Sequence, residues 1–218
     1  MLRRVSPATD SPRCGLLFLV TAPSGAGKDS VIGVLRDRGA DLTFAITALT
    51  REPREGERDG IDHFFLTDAE FEQRLRRGWF LETASVYGRR YGTPIHQVRE
   101  PLLAGRDVML RLDVQGAREL KRRYPGAIAI FVEPPSPEEA ERRMRSRATE
   151  SPLEIERRIA AMRDYELSFA DEADFRVINT TGDLGRAADR VWEFVSSVRR
   201  TPERMAVAGD LAAVPRSD

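Results

Sequence analysis

The sequence contains little cysteine and no excess of either charge. Cys14 is the single cysteine, so a disulfide within the chain is impossible, which is typical of a reducing compartment. Lysine plus arginine equals aspartate plus glutamate, at 35 residues each. Proteins that bind nucleic acids or membrane surfaces generally carry a strong basic excess, so this balance argues against both classes.

Long apolar runs are absent as well. No run approaches the roughly 20 residues that a membrane-spanning helix needs. The apolar segment GLLFLVTA, 15–22, follows a short basic stretch as in a signal peptide, but it is short and leads directly into a glycine-rich loop. That context favours a buried strand. We therefore predict a cytoplasmic protein, either a monomer or a homodimer, that contacts neither membranes nor nucleic acids.

The 218 residues suffice for one α/β domain with a sizeable core. Residues 1–13 and 201–218 are rich in proline, serine, alanine and charge, and they show little apolar periodicity. Both are predicted to be flexible tails. The domain is expected at 14–200.

Strand-like and helix-like segments alternate along this domain. Apolar runs predict strands at 16–20, 107–113, 127–133 and 174–179, and each is followed by helical spacing of apolar residues. The alternation predicts a parallel sheet with helices on both faces.

Two segments interrupt the alternation. Strand-like runs at 44–50 and 62–67 predict a small strand-rich insertion at about 46–96, and a helix is predicted at 99–106. Residues from about 137 to 160 are very charged and helical in pattern.

The segment TAPSGAGKDS, 21–30, is similar to a phosphate-binding loop, Gly-x4-Gly-Lys-Ser/Thr, with two departures. Ala22 replaces the first glycine, and Asp29 replaces the hydroxyl residue. Such a loop needs glycines so that backbone N–H groups approach the phosphates, and a lysine, here Lys28, at a helix N-terminus. Because a predicted strand precedes the loop and a helical pattern follows it, ATP and Mg²⁺ are the expected cofactors. The predicted ATP-binding residues of the loop are Thr21, Ala22, Pro23, Ser24, Gly25, Ala26, Gly27, Lys28, Asp29 and Ser30.

Arg51 and Arg54 lie three residues apart in the turn TREPREGERDG. A guanidinium binds a phosphate through two parallel hydrogen bonds, so the two side chains are suited to hold a monophosphate. From this segment alone, a solvated turn with two surface arginines is the more ordinary interpretation.

Six segments, in order, resemble blocks of the guanylate kinases, which transfer a phosphoryl group from ATP to GMP. They are APSGAGK, TREPREGERDGIDHFF, FLETASVYGRRYGT, LDVQGA, FVEPPSPEEAERRMRSRATES and DFRVIN. The similarity runs from about Leu16 to Arg199. It implies a P-loop nucleoside monophosphate kinase fold, in which the insertion binds GMP and the segment at about 137–160 is a helical lid.

The resemblance also implies a GMP site. His63 stands where the family commonly has a tyrosine that donates to the phosphate, and a cationic histidine would donate more strongly. Glu82 is suited to accept the adjacent N1–H and N2–H₂ donors of guanine, which adenine lacks. The implied phosphate ligands are Arg51, Arg54, His63 and Tyr91, and the implied base ligands are Thr47, Glu82, Thr93 and Asp113.

The lid segment is rich in arginine, and phosphoryl transfer needs cations around the moving group. By resemblance, Lys28, Arg143 and Arg158 are the predicted catalytic residues, and Arg147 is a further ATP ligand. The other arginines of the segment are expected on a solvated helix face. No general base is assigned, because the GMP phosphate is already a nucleophile.

Two other functions remain open at this point. A related family phosphorylates ribose 1,5-bisphosphate, and some of its members share GKDS, but such an enzyme has no need for Glu82, Thr93 and Asp113. Guanylate-kinase-like modules of scaffold proteins bind partners without catalysis, but they have typically lost the loop lysine, which is present here as Lys28.

The acid in the loop has a candidate partner. Family members often have L-D-x-D-x-Q-G where this chain has LRLDVQG, so Arg111 replaces an aspartate. We predict that Asp29 and Arg111 form a partly buried ion pair, with charged groups within about 6 Å. Asp29 is also a candidate for a water-mediated contact with Mg²⁺. The alternative is two unrelated substitutions at tolerant positions.

Overall fold

The computed structural model describes residues 14–86, 88–146 and 151–200. In chain order, the strands are β1 (Leu17–Thr21), β2 (Thr43–Phe44), β3 (Ala48–Leu49), β4 (Phe64–Phe65), β5 (Phe80–Val86), β6 (Arg89–Pro94), β7 (Val108–Arg111), β8 (Ile128–Glu133) and β9 (Phe175–Ile178). The helices are α1 (Lys28–Asp37), α2 (Asp68–Arg76), α3 (Ile95–Leu103), α4 (Val114–Arg123), α5 (Pro137–Arg145), α6 (Pro152–Ala161) and α7 (Leu184–Val198). The two predicted tails and Arg147 lie outside the described residues.

The core is a five-stranded parallel sheet in the order β2-β7-β1-β8-β9. β1 lies at its centre, and all five of its residues are buried. Successive side chains of β1 point to opposite faces. Leu17 and Leu19 pack with residues of α3 and α4, whereas Phe18 and Val20 pack with residues of α1 and α7. The predicted parallel sheet with helices on both faces is confirmed.

A second sheet, in the order β4-β3-β6-β5, forms the insertion. β6 pairs antiparallel with β3 and β5, and β3 pairs parallel with β4. α2 packs on this sheet through Phe71, whose ring stacks on Phe80 with 4.4 Å between centroids. Thr67 caps α2, because its hydroxyl accepts the Glu70 N–H and the Glu70 carboxylate accepts the Thr67 N–H. The insertion therefore has its own small apolar cluster.

The strand predicted at 44–50 is two strands in different sheets. β2 pairs with β7 at the edge of the core sheet, whereas β3 pairs with β4 and β6 in the insertion. Ala45 and Thr47, which connect them, are also buried, so the apolar pattern shows no boundary. The helix predicted at 99–106 was wrong at both ends, because the observed helix ends at Leu103. It is α3, and it begins at Ile95 because its first turn supplies buried apolar side chains to the core.

The charged segment predicted as a lid contains α5 and α6. These helices pack on each other through a separate apolar cluster of Ala140, Met144, Ile155, Ile159 and Met162. A π-helical turn, Met162–Glu166, and a 3-10 turn, Leu167–Asp171, then lead back towards the core sheet. In the part of the chain that the structure describes, none of the helices has the length and apolar character needed to cross a membrane.

Candidate active site

One cavity of about 490 Å³ lies at the carboxyl ends of β1 and β7, between the loop, the insertion and α6. This edge of a parallel sheet is where open α/β folds bind ligands, and the volume suits a small molecule. Loop residues 22–25 and 27–30 line it, as do Arg158 and every predicted GMP ligand except Thr93. Thr21, Ala26 and Arg143 do not line it. The predicted ATP and GMP residues therefore meet around one space.

The two glycines of the loop are required by backbone conformation and by close packing. Gly25 and Gly27 have φ values of 82° and 85°, a left-handed region that favours glycine. A Cβ atom on Gly25 would lie 2.4 Å from the Ala140 carbonyl oxygen, and one on Gly27 would lie 2.5 Å from Asn179 Nδ2. Gly27 precedes α1 and provides no side-chain cap, so the helix N-terminus faces the cavity as an anion site.

Asn179 and Arg143 support the loop from its outer side. The buried Asn179 amide donates to the Ala26 carbonyl oxygen at 2.8 Å. Arg143 donates to the same oxygen at 3.3 Å and to the Asn179 carbonyl oxygen at 2.9 Å. It also pairs with Glu139, with 3.0 Å between Nε and the carboxylate. The predicted contact of Arg143 with phosphates stays a prediction, because this conformation directs it at the loop backbone.

Glu166 is a buried acid beside the loop that sequence reasoning missed. Its carboxylate accepts the Ser24 N–H at 2.7 Å. Burial raises the pKa of the Glu166 carboxyl, although the cations Arg158 and Lys28 oppose this rise. Burial also lowers the pKa of the Lys28 ammonium, which donates to the Leu112 carbonyl oxygen. No local pattern singles out Glu166, because it is one glutamate among many in a charged helical segment.

Glu82 and Thr93 face each other in the antiparallel pair of β5 and β6. The Thr93 hydroxyl donates to the Glu82 carboxylate at 2.6 Å, and both side chains are buried. Burial raises the pKa of Glu82 to about 7, and the negative charge of Asp113 adds to the rise. Asp113 caps α4, with its carboxylate accepting the Gly116 N–H at 2.8 Å. The two predicted base-binding acids therefore lie close together at the start of α4.

Arg51 is held by an acid within its own turn. Its two terminal nitrogens donate to the two carboxylate oxygens of Glu57 at 2.6 and 2.7 Å. This hydrogen bonding lowers the pKa of Glu57 to about 2 and raises that of Arg51. Glu57 also accepts the Arg54 backbone N–H at 2.8 Å, so it orders the turn that carries both arginines. Sequence reasoning missed Glu57, although an acid six residues after Arg51 in one turn was a usable signal.

His63 is buried against Thr47 and Arg111. Its Nδ1 lies 3.1 Å from the Thr47 hydroxyl, and its Nε2 lies 2.8 Å from Arg111 Nη2. Burial first, and then the charge of Arg111, lowers the pKa of His63 to about 4. The ring is therefore neutral at pH 7 in this structure, and the donation of His63 to a bound phosphate stays a prediction.

The predicted ion pair between Asp29 and Arg111 is confirmed. Arg111 Nη1 lies 3.3 Å from Asp29 Oδ1, inside the 6 Å limit. The Arg111 side chain is 31% exposed and that of Asp29 is 68% exposed, so burial is limited to the arginine. The position with an added acid, Asp29, and the position where an arginine replaces the acid, Arg111, are therefore in contact.

The oxygen donors at the loop fit a magnesium ion held mainly by nucleotide phosphates. Mg²⁺ keeps several waters and uses one or two carboxylates beside substrate phosphates. Asp29 and Ser30 line the cavity at the start of α1 and present a carboxylate and a hydroxyl. Within 14–86, 88–146 and 151–200, no group of three or more acids, histidines or cysteines forms a dedicated metal cage.

Known proteins match this chain over most of its length. A family model described as Guanylate kinase matches residues 16–198. The chain is 46% identical over 165 residues to the guanylate kinase of Nitrosospira multiformis, covering 76% of this chain and 78% of that protein. It is 42% identical over 186 residues to the guanylate kinase of Rubrobacter xylanophilus, covering 85% and 96%.

The fold has a counterpart among solved structures. The crystal structure of guanylate kinase from Anaplasma phagocytophilum matches with a TM-score of 0.72 at 24% identity, covering 91% of this chain and 94% of that one. It supports the fold, and the family model and relatives support the family. The chain therefore belongs to the guanylate kinase family, the nucleoside monophosphate kinases that phosphorylate GMP to GDP.

Proposed function

We propose that this chain transfers the γ-phosphoryl group of ATP directly to the phosphate of GMP, giving ADP and GDP, and that Mg²⁺ accompanies the ATP. The observation that carries the proposal is the shared cavity, which joins the loop lysine Lys28 to the acids Glu82 and Asp113. A site that binds only phosphates does not need the two acids, and a site that binds only guanine does not need the phosphate-binding loop. The same cavity disfavours ribose 1,5-bisphosphate as the substrate.

In the proposed complex, Glu82 accepts the N1–H and N2–H₂ groups of guanine, with Thr93 fixing the orientation of its carboxylate. Thr47 and Asp113 complete the base site. Adenine would leave the buried Glu82 carboxylate without a donor pair, and that mismatch disfavours AMP strongly. We expect dGMP as a second substrate, because these assignments involve the base and phosphate and not the 2′-hydroxyl.

Arg51, Arg54 and Tyr91, which line the cavity, bind the GMP phosphate and orient one of its oxygens for in-line attack on the γ-phosphorus. The bond from the γ-phosphorus to the β,γ-bridging oxygen breaks, and ADP leaves with that oxygen. Lys28 and Arg158 neutralise the charge that develops, so catalysis is mainly positioning and electrostatics. Mg²⁺, held through Asp29 by water and through Ser30, would add positive charge at the ATP phosphates.

We further propose that the lid, about 137–160, and the insertion, about 46–96, close over the substrates. Each has its own apolar cluster that can stay packed during closure, although Leu81 of the insertion belongs to the main core cluster. Closure excludes water and suppresses ATP hydrolysis. A cytoplasmic protein acting as a monomer or homodimer is consistent with this small-molecule chemistry.

A coupled assay of ADP release tests the proposal, with GMP, dGMP, AMP, UMP and ribose 1,5-bisphosphate at equal concentrations. We expect turnover with GMP and dGMP, and at least 100-fold less with AMP, in line with the loss caused by an unpaired buried acceptor (about 10²-fold or more). Equal rates with GMP and AMP would refute the base assignment. Activity on the sugar alone, or GMP binding without any ADP release, would refute the proposed reaction.

A further inference from the structure

Arg111 lies in the cavity between the two halves of the site. It is the last residue of β7, and it pairs in register with Val20 of β1, shortly before the loop. Its guanidinium contacts Asp29 at the start of α1 and His63 in the insertion. Arg111 therefore spans the gap between the loop and the residues that surround Arg51.

The contact with His63 places the guanidinium against the face of the imidazole ring. Arg111 Nη2 lies 2.8 Å from Nε2 and 3.3 Å from Nδ1. A hydrogen bond in the ring plane to Nε2 would leave Nδ1, on the far side of the ring, much more distant. The ring is thus a flat surface on which the guanidinium packs, and Arg111 lines the cavity beside it.

The pairing with Asp29 is weak enough to be exchanged. Arg111 Nη1 lies 3.3 Å from Asp29 Oδ1, a long distance for a charged hydrogen bond, and the Asp29 side chain is 68% exposed. Pairs of this kind contribute little, because water screens them. A phosphate that accepts two parallel hydrogen bonds from one guanidinium is a stronger partner. A smaller cavity of about 130 Å³, also lined by Arg111 and His63, leaves room for the side chain to adjust.

The charge of Arg111 reaches both sides of the site. Burial is the main cause of the lowered pKa of Lys28 in the loop and of His63 in the insertion, and the charge of Arg111 lowers both further, so both groups lie within its field. Two anionic phosphates must approach each other in this space, and that approach requires cations between them.

We propose that Arg111 is a substrate-binding residue, and that its guanidinium exchanges Asp29 for the phosphate of the bound nucleoside monophosphate while it stays packed on His63. The inference rests on the proposed ATP:GMP transfer and extends it with a third arginine for the acceptor phosphate. Asp29 then serves to hold Arg111 in place before the phosphate arrives.

Equilibrium titrations of the full chain with GMP and with guanosine, without ATP or metal, test this role. Arg111→Gln should weaken GMP binding by about tenfold or more, which corresponds to the loss of charge-assisted hydrogen bonds to one phosphate. Guanosine, which lacks the phosphate, should bind the variant and the parent within about twofold. Arg111→Lys should fall in between, because it keeps the charge and loses the planar fork.

Asp29→Ser separates phosphate binding from a role in the ion pair alone. The proposal expects this variant to bind GMP as well as the parent or more tightly, because the competing carboxylate is gone. If Asp29→Ser weakens GMP binding as much as Arg111→Gln does, Arg111 acts only as the partner of Asp29 and the proposal is overturned. Equal losses for GMP and guanosine also overturn it, since they indicate a general distortion.

The same titrations distinguish this inference from the proposed function. If the parent protein binds GMP but releases no ADP, the proposed reaction is refuted. The comparison of GMP with guanosine still tests whether Arg111 binds the phosphate. ATP titrations complete the test, because a loss confined to ATP would place Arg111 at the donor phosphates and contradict the assignment.

Discussion

Thr93 donates its hydroxyl hydrogen to the Glu82 carboxylate over 2.6 Å, and the two residues are direct cross-strand partners in β5 and β6. The strand pairing fixes the carboxylate in a buried wall, where it is 5% exposed. Burial raises its pKa from 4.5 to about 7. The carboxylate that we propose binds the base therefore titrates near neutral pH.

The first prediction concerns the pH dependence of GMP use. Glu82 must be ionised to accept both guanine donors, and it gains a proton as the pH falls through about 7. We expect kcat/KM for GMP at saturating ATP to fall below pH 7, approaching about tenfold per pH unit, because this ratio reports ionisations of the enzyme–ATP complex that GMP meets and of free GMP. The measurement is kcat/KM between pH 5.5 and 8.5 at constant ionic strength.

The GMP phosphate itself titrates near pH 6, so a matched variant is needed to assign the step. Glu82→Gln removes the carboxyl, and its weaker activity should show no step near pH 7. A variant profile with the same step as the parent would assign that step to another group.

The second prediction concerns how pH changes the free energy of unfolding, and the expected effect has opposite signs for Glu82 and Glu57. Between pH 4.5 and 7 the folded protein keeps a proton on Glu82 that the unfolded chain has lost, so this group makes the free energy of unfolding fall as pH rises. At 1.36 kcal/mol per pKa unit, ionising the buried carboxyl costs on the order of 3 kcal/mol at pH 8. Glu82→Gln should therefore raise the melting temperature at pH 8, with little gain at pH 4.5.

Glu57→Gln is the control for this measurement. The pKa of Glu57 is lowered to about 2 by Arg51, so its stabilising effect is present above pH 4.5 and is lost as the pH falls through about 2. This variant should have a lower melting temperature than the parent at pH 8. If both variants shift in the same direction at pH 8, the buried state of Glu82 is not the cause.

Much of the fold follows from local sequence patterns. One short segment contains the buried strand before the loop, the loop glycines and Lys28. The apolar run and the spacing of the glycines and lysine therefore predict the strand and the loop together. The ion pair of Asp29 with Arg111 joins positions 82 residues apart, and it was predictable because an acid is missing from one site and added at the other.

Other features depend on contacts that no local pattern carries. Glu166 reaches the Ser24 N–H only because the turn after α6 returns to the loop, across 142 residues of sequence. The change of sheet between β2 and β3 occurs inside one continuous apolar run. The direction of Arg143 depends on where Ala26 and Asn179 lie, which is set by the packing of α5 and β9 against the loop.

The third prediction uses two helical glycines. A Cβ atom on Gly116 would lie 3.0 Å from both Glu82 Oε2 and Asp113 Oδ1, so the two acids would have to move. Gly116→Ala should raise KM for GMP about tenfold, as expected if roughly one hydrogen bond to the base is lost. KM for ATP should stay the same in the same steady-state assay.

Gly33→Ala is the matched control, because Gly33 lies within α1 and its added Cβ would meet no atom within 4 Å. Alanine favours a helix interior over glycine by about 0.5–1 kcal/mol, so this variant should be slightly more stable with unchanged kinetics. A comparable rise in KM for GMP in both variants would show that the effect arises from the helices rather than from the two acids.

The fourth prediction concerns support of the loop. Asn179→Ala removes the amide that donates to the buried Ala26 carbonyl oxygen and leaves only the longer bond from Arg143, and loss of one such hydrogen bond costs about 0.5–1.5 kcal/mol. Because the loop conformation positions Lys28 and the amides before it, we expect KM for ATP to rise about tenfold. KM for GMP should change much less, and initial-rate kinetics with each substrate varied in turn measure both.

Loss of overall stability must be separated from this local effect. Asp107 lies at the opposite end of β7, where its carboxylate accepts the Leu16 N–H at 2.7 Å and pairs with Arg199 at 2.6 Å. Asp107→Ala should lower the melting temperature at least as much as Asn179→Ala while KM for ATP stays at the parent value. The role of Asn179 in ATP binding is contradicted if both variants raise KM for ATP equally, because destabilisation alone then accounts for the change.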